Sequence, residues 1–117
     1  MKYRSLRSRR IFKIVYSKGN FLKGRLLGIA YSNLQATISE KTDMLVPSVA
    51  FAVSKKISAS AVERNLWKRR MREALRQISD AISREIAIVI QARKAGAAPG
   101  VSELKVEIET LFKKISD

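Results

Sequence analysis

The chemistry open to this 117-residue chain is defined first by two absences. It holds no His and no Cys, which removes the most frequent general bases, nucleophiles and zinc ligands. A two-metal nuclease needs clustered carboxylates that hold ions about 4 Å apart. Glu63 and Glu73, the two acids of the most charged stretch, are ten residues apart, roughly 15 Å along a helix axis. The expectation is a protein with no catalytic residue and no metal site of its own. Binding chemistry is better represented. The segment Ala61–Ile78, AVERNLWKRRMREALRQI, carries six Lys and Arg against two acids. A helix gains nothing by repelling itself, so an external polyanion has to neutralise that charge.

Helical projection separates the segment into two faces. At about 100° per residue, Trp67, Met71, Ala74, Leu75 and Ile78 fall within one arc of about 100°, and Asn65, Lys68, Arg69, Arg72 and Arg76 within another. The first has to pack on a sheet, with Trp67 read as core. The second then points outward as a stripe about three turns long, matched to successive phosphates, with Asn65 adding directional hydrogen bonds. Arg64 and Arg70 flank it. A merely solvated basic face is the ordinary alternative, but almost no acid stands at i+4 to offset these cations. Glu63 has a structural role available, because Ser60 and Glu63 have the spacing of a capping box.

A smaller version of the pattern lies near the N-terminus. Arg9, Arg10 and Lys13 form the basic side of a helix and Ile11, Ile14 and Val15 its apolar side, with Phe12 and Tyr16 on the border. Aromatics beside cations suit single-stranded RNA, whose bases stack on rings while its backbone follows the charge. Two roles remain open for these rings, core and stacking. Downstream, Val49, Phe51 and Val53 share one face of a strand and Ala50, Ala52 and Ser54 the other, so one sheet face carries small residues, as the floor of a groove would.

The elements that must position these residues follow from periodicity and punctuation. A first helix over SRRIFKIVYSKG has Ser8 as N-cap and Gly19 just past its end. RLLGIAY and SVAFAVS read as strands separated by a mobile polar loop, SNLQATISEKTDMLVP. The basic helix follows, then a strand EIAIVIQARK and a turn AGAAPG. The last helix starts near Ser102, with Val101 and Val106 as a hydrophobic staple and Leu104, Ile108, Leu111, Phe112 and Ile115 as its apolar stripe. The order helix, strand, strand, helix, strand, helix predicts one domain over residues 1–117, an α+β or α/β sandwich with one sheet face covered by helices. At 46% hydrophobic residues the core is modest but needs no metal or disulfide.

The net charge is +14, and it is one-sided: residues 1–39 hold nine Lys and Arg and no acid, whereas residues 77–117 hold six of each sign. Such asymmetry marks the footprint of a polyanion. A membrane surface is the poorer candidate, because the apolar faces are needed for the core. No apolar run approaches 18 residues. A DNA-binding regulator would need a second short helix and a tight turn before the basic helix, where SVAFAVSKKIS reads as strand. The Arg- and Ser-rich N-terminus also has the composition of a transit peptide; the use found for Phe12 and Tyr16 assigns it to the domain instead. The absence of Cys is compatible with a reducing interior, and the expected location is the cytoplasm.

SVAFAVSKK, Ser48–Lys56, followed by AVERNLWKRRMRE, Ala61–Glu73, resembles the strand and the "RNR" signature helix of the protein subunit of bacterial ribonuclease P. Lys55, Lys56, Ala61, Val62, Arg64, Asn65, Lys68, Arg69, Arg72 and Glu73 carry the match. More loosely, RRIFKIVYSKG resembles that family's first helix with its paired aromatics, and EIAIVIQARKAG its later strand. Ala50 stands where Gly is frequent, and no Gly lies between Lys56 and Ala61. The resemblance implies a sandwich like the second domain of ribosomal protein S5, with a left-handed βαβ crossover where the general rule predicts a right-handed one. It implies that an RNA is the catalyst, cutting precursor tRNA with Mg2+ to release the 5′ leader, and that the protein itself binds no cofactor. Its partners would be the ribonuclease P RNA and precursor tRNA, with no DNA and no membrane. Arg64, Asn65, Lys68, Arg69, Arg72 and, by continuation of the stripe, Arg76 would contact the catalytic RNA. Phe12, Tyr16 and Lys55 or Lys56 would approach the single-stranded leader, beside Arg9 and Lys13, and Tyr31 or Ala30 would line the same groove. A ribosomal-type structural RNA-binding protein is the alternative, sharing the charge and fold class without a leader groove.

Overall fold

The computed structural model describes residues 3–33, 47–78 and 86–116. Its elements are β1 (Arg4–Ser5), α1 (Arg9–Lys18), β2 (Asn20–Lys23), β3 (Leu27–Asn33), β4 (Ser48–Ala52), α2 (Ala61–Arg76), β5 (Ile86–Ala92) and α3 (Val101–Ser116). The strands form one mixed sheet in the order β1-β4-β5-β3-β2. β4 runs parallel to β1 and β5, while β3 is antiparallel to β5 and β2. β5 sits in the middle, and its sequence IAIVIQA accounts for that: every residue except Gln91 is buried, as a strand covered on both faces requires. Two adjacent parallel strands need a crossover, and α2 supplies it between β4 and β5.

Alternation along the strands sorts the side chains into two layers. Leu27, Ile29, Val49, Ile86, Ile88 and Ile90 form the main core with Trp67, Met71 and Leu75 of α2 and Leu104, Ile108 and Phe112 of α3. On the opposite face Ala30, Ala87 and Val89 pack with Leu6 and with Val15 of α1, joined by Ile11, Phe12, Ala50 and Ala52. The expected single covered face is therefore corrected: α2 and α3 cover one side, and α1 lies on the other. Small residues make this possible, since a helix approaches a sheet closely only where the strand side chains are short.

The helix ends follow local chemistry. Ser8 Oγ accepts the Ile11 N–H at 3.3 Å, and the Gly19 N–H closes α1 on Val15 O at 3.1 Å. Gly19 is required by close approach, because a Cβ there would lie 2.4 Å from Val15 O and 2.5 Å from Tyr31 O. At α2 only half of the expected capping box forms. Ser60 Oγ accepts the Glu63 N–H at 3.2 Å, but the Glu63 carboxylate accepts the Ala98 N–H at 2.7 Å instead of turning back. The staple of α3 is also corrected: Val101 already lies inside the helix and against the core, while Val106 is 65% exposed. The apolar stripe of α3 is buried as its spacing requires. β1 and β2 were not foreseen. Both are short edge strands, and β2 pairs with β3 from Asn20↔Tyr31 to Lys23↔Gly28. Most of the loop expected to be mobile, residues 34–46, lies outside the described residues.

Candidate nucleic-acid interface

The outward side of α2 carries Asn65, Arg69, Arg72 and Arg76 exposed and Lys68 half-buried, opposite Trp67, Met71, Ala74 and Leu75. The stripe predicted from periodicity is therefore present, but its cations are not equivalent. The side chains of Asn65, Lys68 and Arg69 make no hydrogen bond or ion pair with the described residues. The Arg72 guanidinium lies 5.7 Å from the centre of the Phe51 ring, within cation–π distance. Arg76 is clasped by Glu73, which also accepts from Gln77 Nε2. Those hydrogen bonds, Arg76 first, hold the Glu73 carboxyl down at about 2, so Glu73 stays ionised and offsets the Arg76 charge.

The two flanking arginines are turned inward. Arg64 Nη1 donates to Ser58 O and Ala59 O, both at 2.9 Å, tying down the turn before α2. Arg70 Nη1 donates to Ala98 O at 2.8 Å and Pro99 O at 3.1 Å. With Glu63 on Ala98 N and Trp67 Nε1 on Gly96 O at 3.1 Å, α2 holds the connection between β5 and α3 at Gly96, Ala98 and Pro99. Arg64, expected to contact RNA, is thus also tied into the turn before α2. Trp67 is fully buried, as its core assignment required.

On the other sheet face, the rings of Phe12 and Tyr16 stack with centroids 6.4 Å apart and planes 20° from parallel. Their surroundings differ. Phe12 is half-buried against the α1 cluster, whereas Tyr16 is 52% exposed and donates its hydroxyl to Gln91 Oε1 at 3.1 Å. Partial burial raises the Tyr16 phenol above its ordinary value, so it remains a protonated donor at neutral pH. Arg9, Arg10 and Lys13 are exposed along the same helix.

Strand register decides what shares this face. Ala30, Val89 and Ala50 stand in one row, and Gly28, Gln91 and Ala52 in the next. Tyr31 pairs with Ile88 beside Val49 and packs against the main core. Of the two groove candidates on β3, Ala30 is therefore the one that faces α1, and Tyr31 is corrected to the opposite side. Phe21, 40% exposed, lies with its ring over Gly28, where a Cβ would come within 2.6 Å of its Cζ. Phe21 is not among the groove residues expected from sequence; nothing local marks it, and its place on this face follows from its pairing with Ala30. Lys55 and Lys56 are both exposed in the turn after β4, beyond Ala50 and Ala52. Among the described residues no group of three His, Cys, Asp or Glu could hold a metal, and no helix is long and apolar enough to cross a membrane.

Comparison with known proteins bears on this geometry. The family model described as Ribonuclease P matches residues 1–116. The chain is 32% identical over 109 residues to the ribonuclease P protein component of Symbiobacterium thermophilum, covering 93% of this chain and 88% of that one. It is 29% identical, with the same coverage, to the ribonuclease P protein component of a Pseudanabaena species. Its fold is similar to that of the Staphylococcus aureus RNase P protein, with a TM-score of 0.75 at 22% identity over 97% of this chain and 96% of the other. For the Thermotoga maritima RNase P protein the TM-score is 0.73 at 23% identity, over 94% and 96%. From its signature helix to its sheet order, the chain belongs to the ribonuclease P protein family.

Proposed function

We propose that this chain is the protein component of a ribonuclease P, that it anchors the ribonuclease P RNA on α2, and that it holds the 5′ leader of precursor tRNA against α1. Phosphodiester cleavage then belongs to the RNA and its Mg2+ ions, in keeping with a protein that has neither His nor Cys. Bacterial tRNA maturation puts the assembly in the cytoplasm. One observation carries the assignment: the cation stripe and the stacked aromatic pair lie on helices that cover opposite faces of one sheet. A protein so built can engage two RNA segments at once without their competing for the same surface. The cations of α2 reduce the repulsion between RNA segments that Mg2+ otherwise screens.

Cleavage of precursor tRNA by the protein and a bacterial ribonuclease P RNA, each alone and together, tests this. The protein alone cuts at no Mg2+ concentration, and its addition lowers the Mg2+ that the RNA requires. Cleavage by nuclease-free protein without RNA would refute the assignment of chemistry to the RNA. A ribosomal-type RNA-binding protein would bind RNA without changing the Mg2+ requirement or favouring substrates that carry a leader.

A further inference from the structure

The stripe of α2 adjoins an aromatic cluster. Arg72 lies over the Phe51 ring, and Tyr3 meets Phe51 edge-on at 6.3 Å and 77°. Tyr3 is brought there by β1, which returns the N-terminal segment to the edge of the sheet and pairs Arg4 with Ser48. Tyr3, Leu66 and Val101 give an apolar lining to an open cavity of about 460 Å³, which Arg69, Arg70 and Arg72 also line beside the Glu73–Arg76 pair. Leu66 stands at the third letter of the "RNR" signature, so an apolar side chain occupies the position of a cation. It is half-buried yet belongs to neither core cluster.

A cavity of this size suits a small-molecule-sized group. Its lining specifies which: a flat apolar face for the ring, guanidinium groups that stack on π systems, and cations beside it for an anionic edge. We propose that it receives an unpaired base of the RNA anchored on α2, with Tyr3 and the Arg72 guanidinium as its stacking surfaces and Arg69 on the adjoining phosphate. The inference rests on α2 being the RNA-anchoring surface. It makes Tyr3 a specificity-determining residue, because only an unpaired nucleotide can present a free face to it.

Affinity for a bacterial ribonuclease P RNA, measured across a salt series with the melting temperature of each protein, tests the proposal. Tyr3→Leu keeps apolar bulk and removes the ring. It should bind roughly five- to a hundredfold more weakly, with the wild-type salt slope and melting temperature, while Tyr3→Phe binds as wild type. Leu66→Ser should also weaken binding at unchanged slope and leaves the β1–β4 pairing untouched, so it decides the matter if Tyr3→Leu melts early. Base-specific chemical probing should show an unpaired base protected by wild type and Tyr3→Phe but open to modification with Tyr3→Leu. Wild-type affinity in both Tyr3→Leu and Leu66→Ser, or an altered salt slope in both, overturns the proposal. If Arg69→Ala likewise left affinity and slope unchanged, the failure would lie with α2 as the anchor and not with the cavity alone.

Discussion

Five arginines and one lysine on one helix fall into four different situations, and the partner of each side chain says which. The Arg69 guanidinium has no hydrogen bond or ion pair with the described residues, so Arg69→Ala should remove about one phosphate contact. The slope of log affinity against log salt then falls by roughly 0.7 to 0.9 with no change in melting temperature. Arg64→Ala should weaken RNA binding and also destabilise the fold by about 1–3 kcal/mol, because the Ser58 and Ala59 carbonyls lose a charged donor. Arg70→Ala should show mainly the stability loss, read by thermal melting, since its guanidinium is spent on Ala98 and Pro99. Glu73 gives a pH test. Its carboxyl is held at about 2, so its contribution is fully present above the ordinary carboxylate value, declines as pH falls below that value and is gone once pH has fallen through about 2. An NMR titration between pH 5 and 3 should find Glu73 still ionised while unpaired carboxylates take up protons. Glu73→Gln, which frees Arg76 of that carboxylate, should raise RNA affinity and steepen the salt slope.

Two helices owe their settings to contacts with distant segments. The α3 residue Glu107 accepts the Arg25 N–H at 3.1 Å, the Leu26 N–H at 2.8 Å and the Leu27 N–H, clamping the turn between β2 and β3. Glu107→Ala should cost about 1–3 kcal/mol, a fall of several degrees in melting temperature, and leave the salt slope of RNA binding intact. On α1 the aromatics divide the work. Tyr16→Ala should lose a stacking contact worth about 1–3 kcal/mol per base with precursor tRNA and nothing with mature tRNA, at near-normal stability. Phe12→Ala should lose both leader affinity and stability, because Phe12 also packs on the Ala30–Val89 face. Equal weakening toward both tRNAs would show that α1 does not read the leader. Gly19 and Gly28 belong to this scale too: each marks a place where a carbonyl or a ring comes too close for a Cβ.

At the scale of the whole molecule the sheet works as a partition. Helices α2 and α3 bury the larger apolar face, leaving the cations of α2 outward, and α1 covers the smaller face with its aromatics at the edge. A net charge of +14 on 117 residues makes RNA binding salt-dependent as a whole, but the two surfaces should respond differently. Binding to the ribonuclease P RNA should fall steeply with salt, whereas the extra affinity that a leader confers should fall less, since stacking releases no counterions. Titrations with precursor and mature tRNA at two ionic strengths check this; identical salt slopes for the two increments would contradict it.

Periodicity was sufficient wherever a segment's own residues fixed its geometry. The 3.6-residue spacing of Trp67, Met71, Ala74 and Leu75 required α2 to bury that side and turn Asn65, Lys68, Arg69 and Arg72 outward, and the stripe of α3 followed by the same logic. The caps at Ser8 and Ser60 were legible because a hydroxyl three residues before an N–H is a local arrangement. What stayed hidden depended on partners remote in the chain. Tyr31 and Ala30 could not be told apart by sequence, because a one-residue change of register exchanges the two faces of a strand, and only pairing with Ile88 and Val89 decides it. Nothing local marked Phe21 as a neighbour of the α1 face or Tyr3 as a neighbour of the α2 stripe, or revealed that Glu63 and Arg70 reach Ala98 and Glu107 the turn at Leu26. The charge and its periodic placement were written in the chain; which cations stay available to RNA was decided by the carbonyls and carboxylates that folding brought beside them.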